Sequence, residues 1–208
     1  MVITLIIGVM FAGGNESREI FAAFERELHT RQTASGNLIG RGAEEATFKS
    51  SFLLQKPKSF RVIDGQIDLY CNGKIQFNHL IAAKEYFKRD VSDEYGFGAP
   101  YGLDAFFGLA TGASAPYFEK KTEFRMQKVD GHICAAKVIH FDSFGRDDRM
   151  AFFVDRTDKQ IRGWDQSFGG TMMHYRFENL RFDVDVPKDA FDWKPGPELK
   201  ERTIKQGP

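Results

Sequence analysis

The chain has few of the residues that build disulfides, metal sites or nucleotide sites. Its 208 residues include two cysteines, Cys71 and Cys134, and the five histidines show no His-x-x-x-His spacing. With no Cys-x-x-Cys pair either, neither a metal nor another cofactor is expected. The two cysteines allow one disulfide, and two buried free thiols are an equal alternative. The glycine-rich stretches contain no GxGxxG or Walker pattern, so phosphate binding is not predicted.

The chain also has no excess of positive or negative charge and no common hydrolase motif. The 29 basic and 29 acidic residues balance, which predicts neither a nucleic-acid partner nor a basic membrane-binding face. No Gly-x-Ser-x-Gly sequence is present, which speaks against a serine hydrolase. The acidic pairs Asp147–Asp148 and Asp183/Asp185 stand beside arginines or alternate with apolar residues and are interpreted as solvated charge. We therefore expect a protein that is not an enzyme.

Phenylalanine is abundant. The chain has 21 phenylalanines against 6 tyrosines and 2 tryptophans. One interpretation is an ordinary core that uses this side chain. The other is a cavity for an apolar ligand, because phenylalanine offers broad contact without a polar group that needs a partner.

Residues 1–14 form a short apolar run that ends in small residues. The run is too short to span a bilayer comfortably but suits the apolar region of a secretory signal, which predicts a periplasmic or otherwise exported protein. A buried N-terminal strand is the alternative. No cysteine follows the run, so a lipid-anchored form is not expected.

The rest of the chain indicates one helix followed by nine or ten strands in meander order. Asn15 or Ser17 is predicted to cap a helix whose apolar face includes Phe21 and Phe24. Asn72–Gly73 is the strongest hairpin signal and predicts a type I′ turn. The last strand is expected to run to Val186, where Pro187 stops it, with a bulge near Asn179.

The aromatic residues after this strand, Phe191 and Trp193, require an apolar groove to lie in. Together with the strand they are expected to close the sheet at its last edge.

A segment rich in glycine and proline, residues 95–116, separates the two groups of strands. Within it, residues 103–110 predict two helical turns that are apolar almost all round. A long connection that holds an apolar helix is often functional, so we expect a lid over the concave face of the sheet. A plain loop that plugs one end of the sheet is the alternative.

The order of these features resembles the Lol superfamily of periplasmic lipoprotein carriers and their lipoprotein-sorting relatives. The resemblance covers about residues 16–198. It rests on the N-terminal helix, on residues 53–61 (LLQKPKSFR), on Asn72-Gly73-Lys74 at the hairpin, and on residues 186–195 (VPKDAFDWKP).

The resemblance implies a fold that is mostly β, an incomplete antiparallel β-barrel or half-barrel with an N-terminal helix and a short lid helix. The implied domains are an apolar leader (1–14), one LolA-like domain (15–198) and a polar tail (199–208). In the carriers an arginine before the proline helps to hold the lid closed. Here Lys56 has that place, and it lacks the planar fork of donors that an arginine offers.

The expected function is binding or carriage of an apolar ligand, such as a lipid or the acyl chain of an outer-membrane lipoprotein. The alternative is an envelope interaction or sensor domain whose groove is filled by its own lid and whose surface docks to an envelope protein. The residues expected to line the cavity and lid are Phe52, Leu54, Phe77, Leu103, Phe106, Phe107, Leu109, Phe124 and Phe152, with Lys56 as a lid contact.

Overall fold

The computed structural model describes residues 2–42, 47–92, 103–111, 119–143 and 146–203. It contains two helices, α1 (Val2–Thr30) and α2 (Leu103–Thr111), and twelve strands. The strands are β1 (Thr33–Arg41), β2 (Thr47–Gln55), β3 (Ser59–Ile63), β4 (Ile67–Asn72), β5 (Ile75–Leu80), β6 (Glu85–Asp90), β7 (Glu119–Val129), β8 (His132–Ser143), β9 (Arg146–Asp155), β10 (Ile161–Phe168), β11 (Thr171–Phe182) and β12 (Lys200–Glu201).

The twelve strands are hydrogen-bonded in the order β12-β6-β5-β4-β3-β2-β1-β11-β10-β9-β8-β7. Neighbours whose register is defined pair antiparallel, except β12, which pairs parallel with β6. The two ends of this order, β12 and β7, are different strands, so the sheet is not closed. The predicted fold class is confirmed: mostly β, with an N-terminal helix, a short second helix and an unclosed sheet.

Two strands, β1 and β12, were not expected from the sequence. Strand β1 reads TASGNLIGR, and its two glycines and short polar residues blur the alternation that reveals a half-buried strand. Strand β12 has two residues, too few for any periodicity. Because β1 precedes the predicted strands and pairs with β11, the last long strand lies inside the sheet rather than at its edge.

The chain divides into two compact units, which are described separately. Unit 1 comprises Met1–Thr30, Ile39–Thr47 and Pro116–Phe177, and unit 2 comprises Arg31–Leu38, Phe48–Ala115 and Glu178–Pro208. Both β1 and β11 contribute to each unit. Among the described residues, neither helix is long and apolar enough to cross a membrane.

In unit 1, α1 packs on strands β7 and β8. The Phe21 ring lies 6.4 Å from that of Phe124, and the Lys137 ammonium lies over Phe21 and 2.8 Å from the Glu25 carboxylate. Ser17 is fully buried, and its hydroxyl reaches the backbone oxygens of two strands, at 3.0 and 3.2 Å. The predicted cap at Asn15 or Ser17 is wrong, because one helix, Val2–Thr30, includes both the first apolar residues and the amphipathic segment that follows them.

The opposite face of the unit 1 sheet has its own buried cluster, which includes Cys134 and Phe153. Asp155 lies at its margin, where it accepts bonds from the Thr157 backbone N–H at 2.7 Å and the Arg162 guanidinium at 2.8 Å. Burial raises the pKa of Asp155, but these bonds outweigh burial and lower that pKa to about 2. The Asp155 carboxylate is therefore ionised near neutral pH, and in this charged form it stabilises the connection between β9 and β10.

In unit 2, the turn at Asn72–Gly73 differs from the expected type. The register Cys71↔Gln76 places Gly73 and Lys74 at the centre of the hairpin. Positive φ occurs at Gly73 (89°) but not at Asn72 or Lys74, which is the pattern of a type II′ turn. The Asn72 side chain instead accepts the backbone N–H groups of Lys74 and Ile75, at 3.1 and 3.0 Å.

The C-terminal segment of unit 2 crosses the outer face of strands β2 to β6. Strand β11 ends at Phe182 rather than at Val186, because Asp183 adopts φ 50°. Beyond it, Phe191 packs with Leu53, and Trp193 lies among aromatic rings of β4, β5 and β6. The expected apolar groove for Phe191 and Trp193 is therefore present.

Candidate functional site

In unit 2, helix α2 packs on one face of the sheet at strands β2 and β3, and we call this face the inner face. Phe106 and Phe107 of α2 are fully buried. The Phe107 ring lies 5.9 Å from Phe52 and 5.8 Å from Phe60, and the Phe106 ring lies 6.1 Å from Phe52. Leu103 at the start of the helix is also fully buried. This nine-residue helix therefore contacts strands β2 and β3 through its aromatic side chains.

Strand register defines the floor beneath α2. Phe52 stands opposite Val62, and Leu54 stands opposite Phe60. Phe60 in turn stands opposite Cys71 of β4. All five side chains are buried and uncharged. The floor that they form on strands β2, β3 and β4 is therefore apolar.

The same face becomes polar on β5 and β6. Gln76 stands opposite Cys71 of the apolar floor and opposite Arg89 of β6. Gln76 and Asn78 are 1% and 6% exposed, and the Gln76 amide donates to the Asn78 side-chain oxygen at 3.1 Å. The Arg89 guanidinium donates to the Gln76 oxygen at 2.9 Å. The inner face of the sheet therefore changes from apolar to polar between strand β4 and strand β5.

Sequence reasoning missed this polar group because it assigned Phe77 to the cavity. An apolar residue between two polar ones reads as the buried position of a strand. In the structure Phe77 lies on the opposite face, with its ring 5.4 Å from Trp193, and the two neighbouring polar side chains point inward. The signal that could have separated the two faces of β5 is Trp193. This large aromatic side chain follows the last strand and must pack on one face of the sheet, and Phe77 lies on that face.

Of the predicted site residues, those on β2 and α2 are brought together in unit 2. Leu109 is half-buried there, beside the fully buried part of α2. Two others belong to unit 1: Phe124 lies against Phe21 of α1, and the Phe152 ring lies 6.1 Å from Trp164. The remaining parts of the predicted lid segment, residues 95–102 and 112–116, lie outside the described residues.

Lys56 lies at the end of β2, before a cis peptide bond to Pro57. Its backbone N–H donates to the Gln32 oxygen at 3.0 Å. Burial lowers the pKa of the half-buried Lys56 ammonium, although the nearby Asp183 carboxylate opposes the shift. The basic residue before the proline therefore lies near the connection to β1, and its role as a lid contact stays a prediction.

A second feature of unit 2 is an open pocket of about 600 Å³. Five of its seven lining residues have polar side chains, with one guanidinium, two carboxamides and two hydroxyls, so the pocket offers partners to a hydrogen-bonding group. Asn179 in this lining adopts φ 54°, the left-handed conformation that a bulge residue adopts in one class of β-bulge, at the position where the bulge was predicted. The pocket is lined by Ser35, Gly36, Asn37, Ser51, Phe52, Asn179 and Arg181.

Reactive groups are sparse in the part of the chain that the structure describes. It holds no group of three or more His, Cys, Asp or Glu side chains placed to bind a metal ion. Cys71 and Cys134 are both buried, and they are not joined by a disulfide. Burial raises the pKa of the Cys134 thiol to about 11, so this thiol is protonated and weakly nucleophilic near neutral pH.

No family model matches the chain. It is 22% identical over 202 residues to the uncharacterized protein MJ0687 of Methanocaldococcus jannaschii, and this match covers 92% of the chain. The chain spans 56% of that relative's length.

The fold occurs among solved structures. An uncharacterized conserved protein from Thermus thermophilus matches with a TM-score of 0.55 and 12% identity, over 89% of this chain and 98% of that one. This likeness shows the fold. LprF from Mycobacterium bovis matches with a TM-score of 0.48 and 9% identity, over 85% of this chain and 98% of that one. The LolA superfamily, which the sequence resembles, is represented by NE2245 from Nitrosomonas europaea, with a TM-score of 0.40 and 9% identity, over 84% of this chain and 96% of that one.

Proposed function

We propose that this chain is an exported, non-catalytic protein that binds or carries an apolar ligand, a lipid or the acyl chain of a lipoprotein. The observation that supports the proposal is the arrangement of α2 over the apolar floor of unit 2. The rings of Phe106 and Phe107 lie where an acyl chain would contact Phe52 and Phe60. The ligand would replace the aromatic side chains of α2 on that floor.

A short helix is suited to such an exchange. Isolated helices of fewer than about 12 residues are marginal in water, so α2, with nine residues, depends on packing to stay in place. Burial of a saturated acyl chain is favourable by about 0.8 kcal/mol per methylene group. A ligand of 12 to 16 carbons therefore offers a gain of roughly 10 kcal/mol, enough to compensate for the release of three buried side chains.

Export to the periplasm is the second part of the proposal. It is supported by the short apolar run of residues 1–14, which begins the long helix α1. If this run is a signal, the intact mass of protein secreted from an expression host will correspond to a chain that lacks it. Retention of the full mass in the cytoplasm would contradict export.

The second candidate function is an interaction or sensor domain in which α2 stays in place. It is favoured by the complete burial of Leu103, Phe106 and Phe107, which leaves the apolar floor occupied by the chain's own side chains. In that case binding to an envelope protein uses the outside of the domain, and no ligand enters.

Weakening the lid separates the two functions. Phe107→Ala removes the ring contacts of Phe107 with Phe52 and Phe60. For a carrier, this raises the population of the open state, and the apparent affinity for a neutral fluorescent probe with a 16-carbon chain rises in proportion. The matched control is Phe153→Ala, which removes an equally buried phenylalanine of unit 1. It should lower stability to a similar extent without a change in probe affinity.

The outcome that contradicts the carrier function is equally definite. If α2 is a permanent part of the core, Phe107→Ala costs about 3–5 kcal/mol of stability and the folded variant binds no probe. Circular dichroism confirms that each variant is folded before binding is measured.

A further inference from the structure

The inner face of unit 2 contains a buried hydrogen-bond donor that has no acceptor. The Nδ2 group of Asn78 is buried and makes no hydrogen bond within the described part of the chain, while its Oδ1 atom accepts from Gln76. A buried amide N–H without a partner is costly and needs an explanation. One explanation is an acceptor that is brought by a ligand.

The neighbourhood of Asn78 indicates the chemistry of that acceptor. Gln76 links Asn78 to the Arg89 guanidinium, which donates to the Gln76 oxygen at 2.9 Å. This chain of contacts therefore places a cation and an unused N–H donor on the same inner face, on β6 and β5. Donors of this kind bind oxygen anions, and charge-assisted bonds are the strong ones.

The position of this group relative to the apolar floor indicates the shape of the ligand. Asn78 stands opposite Leu69, and Gln76 opposite Cys71, on the inner face of β4. The inner face, which α2 contacts on β2 and β3, is thus apolar from β2 to β4 and hydrogen-bonding from β5 to β6. An amphiphile with one chain and one anionic head matches this sequence of surfaces.

We propose that Asn78 and Arg89 bind the anionic oxygen-bearing head of an amphiphile whose chain lies on the floor of β2, β3 and β4. The inference rests on the proposed function, since the chain must first displace α2. The head is a carboxylate or a phosphate. Both accept hydrogen bonds from an amide and a guanidinium, so the shared chemistry is that of an oxyanion.

The test compares three single-chain compounds of 16 carbons that differ in their heads: palmitate, hexadecyl phosphate and hexadecanol. Each competes with a neutral fluorescent probe for the full-length protein. The wild type is expected to bind palmitate or hexadecyl phosphate at least roughly tenfold more tightly than hexadecanol, as charge-assisted bonds require. The ratio between the first two compounds separates a fatty acid from a phosphate head.

Two variants assign that preference to the named side chains. Asn78→Asp keeps the oxygen that accepts from Gln76 but replaces the free donor with an acceptor, and Arg89→Gln removes the cation. Each is expected to weaken the binding of palmitate and hexadecyl phosphate much more than that of hexadecanol, and so to abolish most of the preference. Arg61→Gln is the matched control, because Arg61 lies on the outer face of β3, beside the inward Phe60, and its loss should not alter the preference.

The outcomes distinguish this inference from the proposed function. Equal binding of all three compounds by the wild type, or an unchanged preference in both variants, overturns the head site and leaves chain binding intact. If Asn78 has a purely structural role, its variant changes the unfolding midpoint without changing the preference. Failure of every compound to compete overturns both proposals.

Discussion

Removal of the Trp193 side chain is the sharpest test of the fold of unit 2. In Trp193→Ala the C-terminal segment loses its main attachment to the outer face of the sheet. The Trp193 ring stacks at 5.5 Å on Tyr70 and at 5.4 Å on His79. It also meets Phe77 at 5.4 Å and Tyr86 at 5.7 Å. Four neighbouring strand residues therefore depend on one side chain of the tail.

The size of the effect follows from burial and ring geometry. Truncation of a fully buried tryptophan costs about 3–5 kcal/mol, and Trp193 is only half-buried, so about 2 kcal/mol is expected from lost contact. Aromatic pairs add about 0.5–1.5 kcal/mol each, but the ring is partly solvated, so we take about 1 kcal/mol for the set. The total is about 3 kcal/mol.

Urea unfolding followed by circular dichroism measures this loss. With a slope of about 2 kcal/mol per molar urea, Trp193→Ala should lower the midpoint by about 1.5 M. Trp193→Phe keeps a ring in place and should recover more than half of the difference. A shift below about 0.3 M for Trp193→Ala would show that the tail does not lie on the sheet, and the assignment of its outer face would fail.

Three further predictions concern unit 1. Gly163→Ala should destabilise the protein by roughly 3 kcal/mol or more, because φ is 146° and an added Cβ would lie 2.0 Å from the Tyr175 oxygen; thermal unfolding of a variant within 0.5 kcal/mol of wild type would refute this close approach. The lowered pKa of Asp155, from 3.8 to about 2, stabilises the fold by roughly 2 kcal/mol above pH 4, and this stability is lost as pH falls through 2. Urea titrations at several pH values should therefore show the gap between wild type and Asp155→Asn closing between pH 4 and 2, and a constant gap would contradict the assignment. Cys134, with its pKa raised to about 11, should react with a thiol reagent at pH 8 only after unfolding, and rapid labelling of the native protein at this site would contradict its burial.

Much of the strand pattern could be predicted from alternation alone. Strand β3 was expected from Phe60 to Ile63 and runs over Ser59–Ile63, and the short helix α2 was expected over 103–110 and runs over Leu103–Thr111. These two elements could be predicted because residues close to them in sequence determine them. The spacing of their apolar residues indicates helix or strand, and the neighbouring turn residues indicate where each element ends, without reference to distant parts of the chain.

What could not be predicted depends on contacts between distant segments. The end of β11 at Phe182 requires Asp183, whose carboxylate accepts from the Arg31 side chain at 2.7 Å and the Gln32 backbone N–H at 3.1 Å. The inward orientation of Asn78 likewise depends on an outer face that Trp193 occupies. Alternation gives two faces to a strand but does not say which face the rest of the chain covers.

The measurement that tests the central claim most directly is native mass spectrometry of the full chain purified from a membrane-containing extract. Binding of an apolar ligand to unit 2 predicts a reproducible adduct with the mass of an acyl-bearing molecule. This adduct should be lost from a folded Phe52→Asp variant, which places a carboxylate on the apolar floor where the acyl chain would lie. A clean apo mass in repeated preparations, with no adduct after incubation with 16-carbon amphiphiles, would contradict the carrier account and leave α2 as a permanent part of the core.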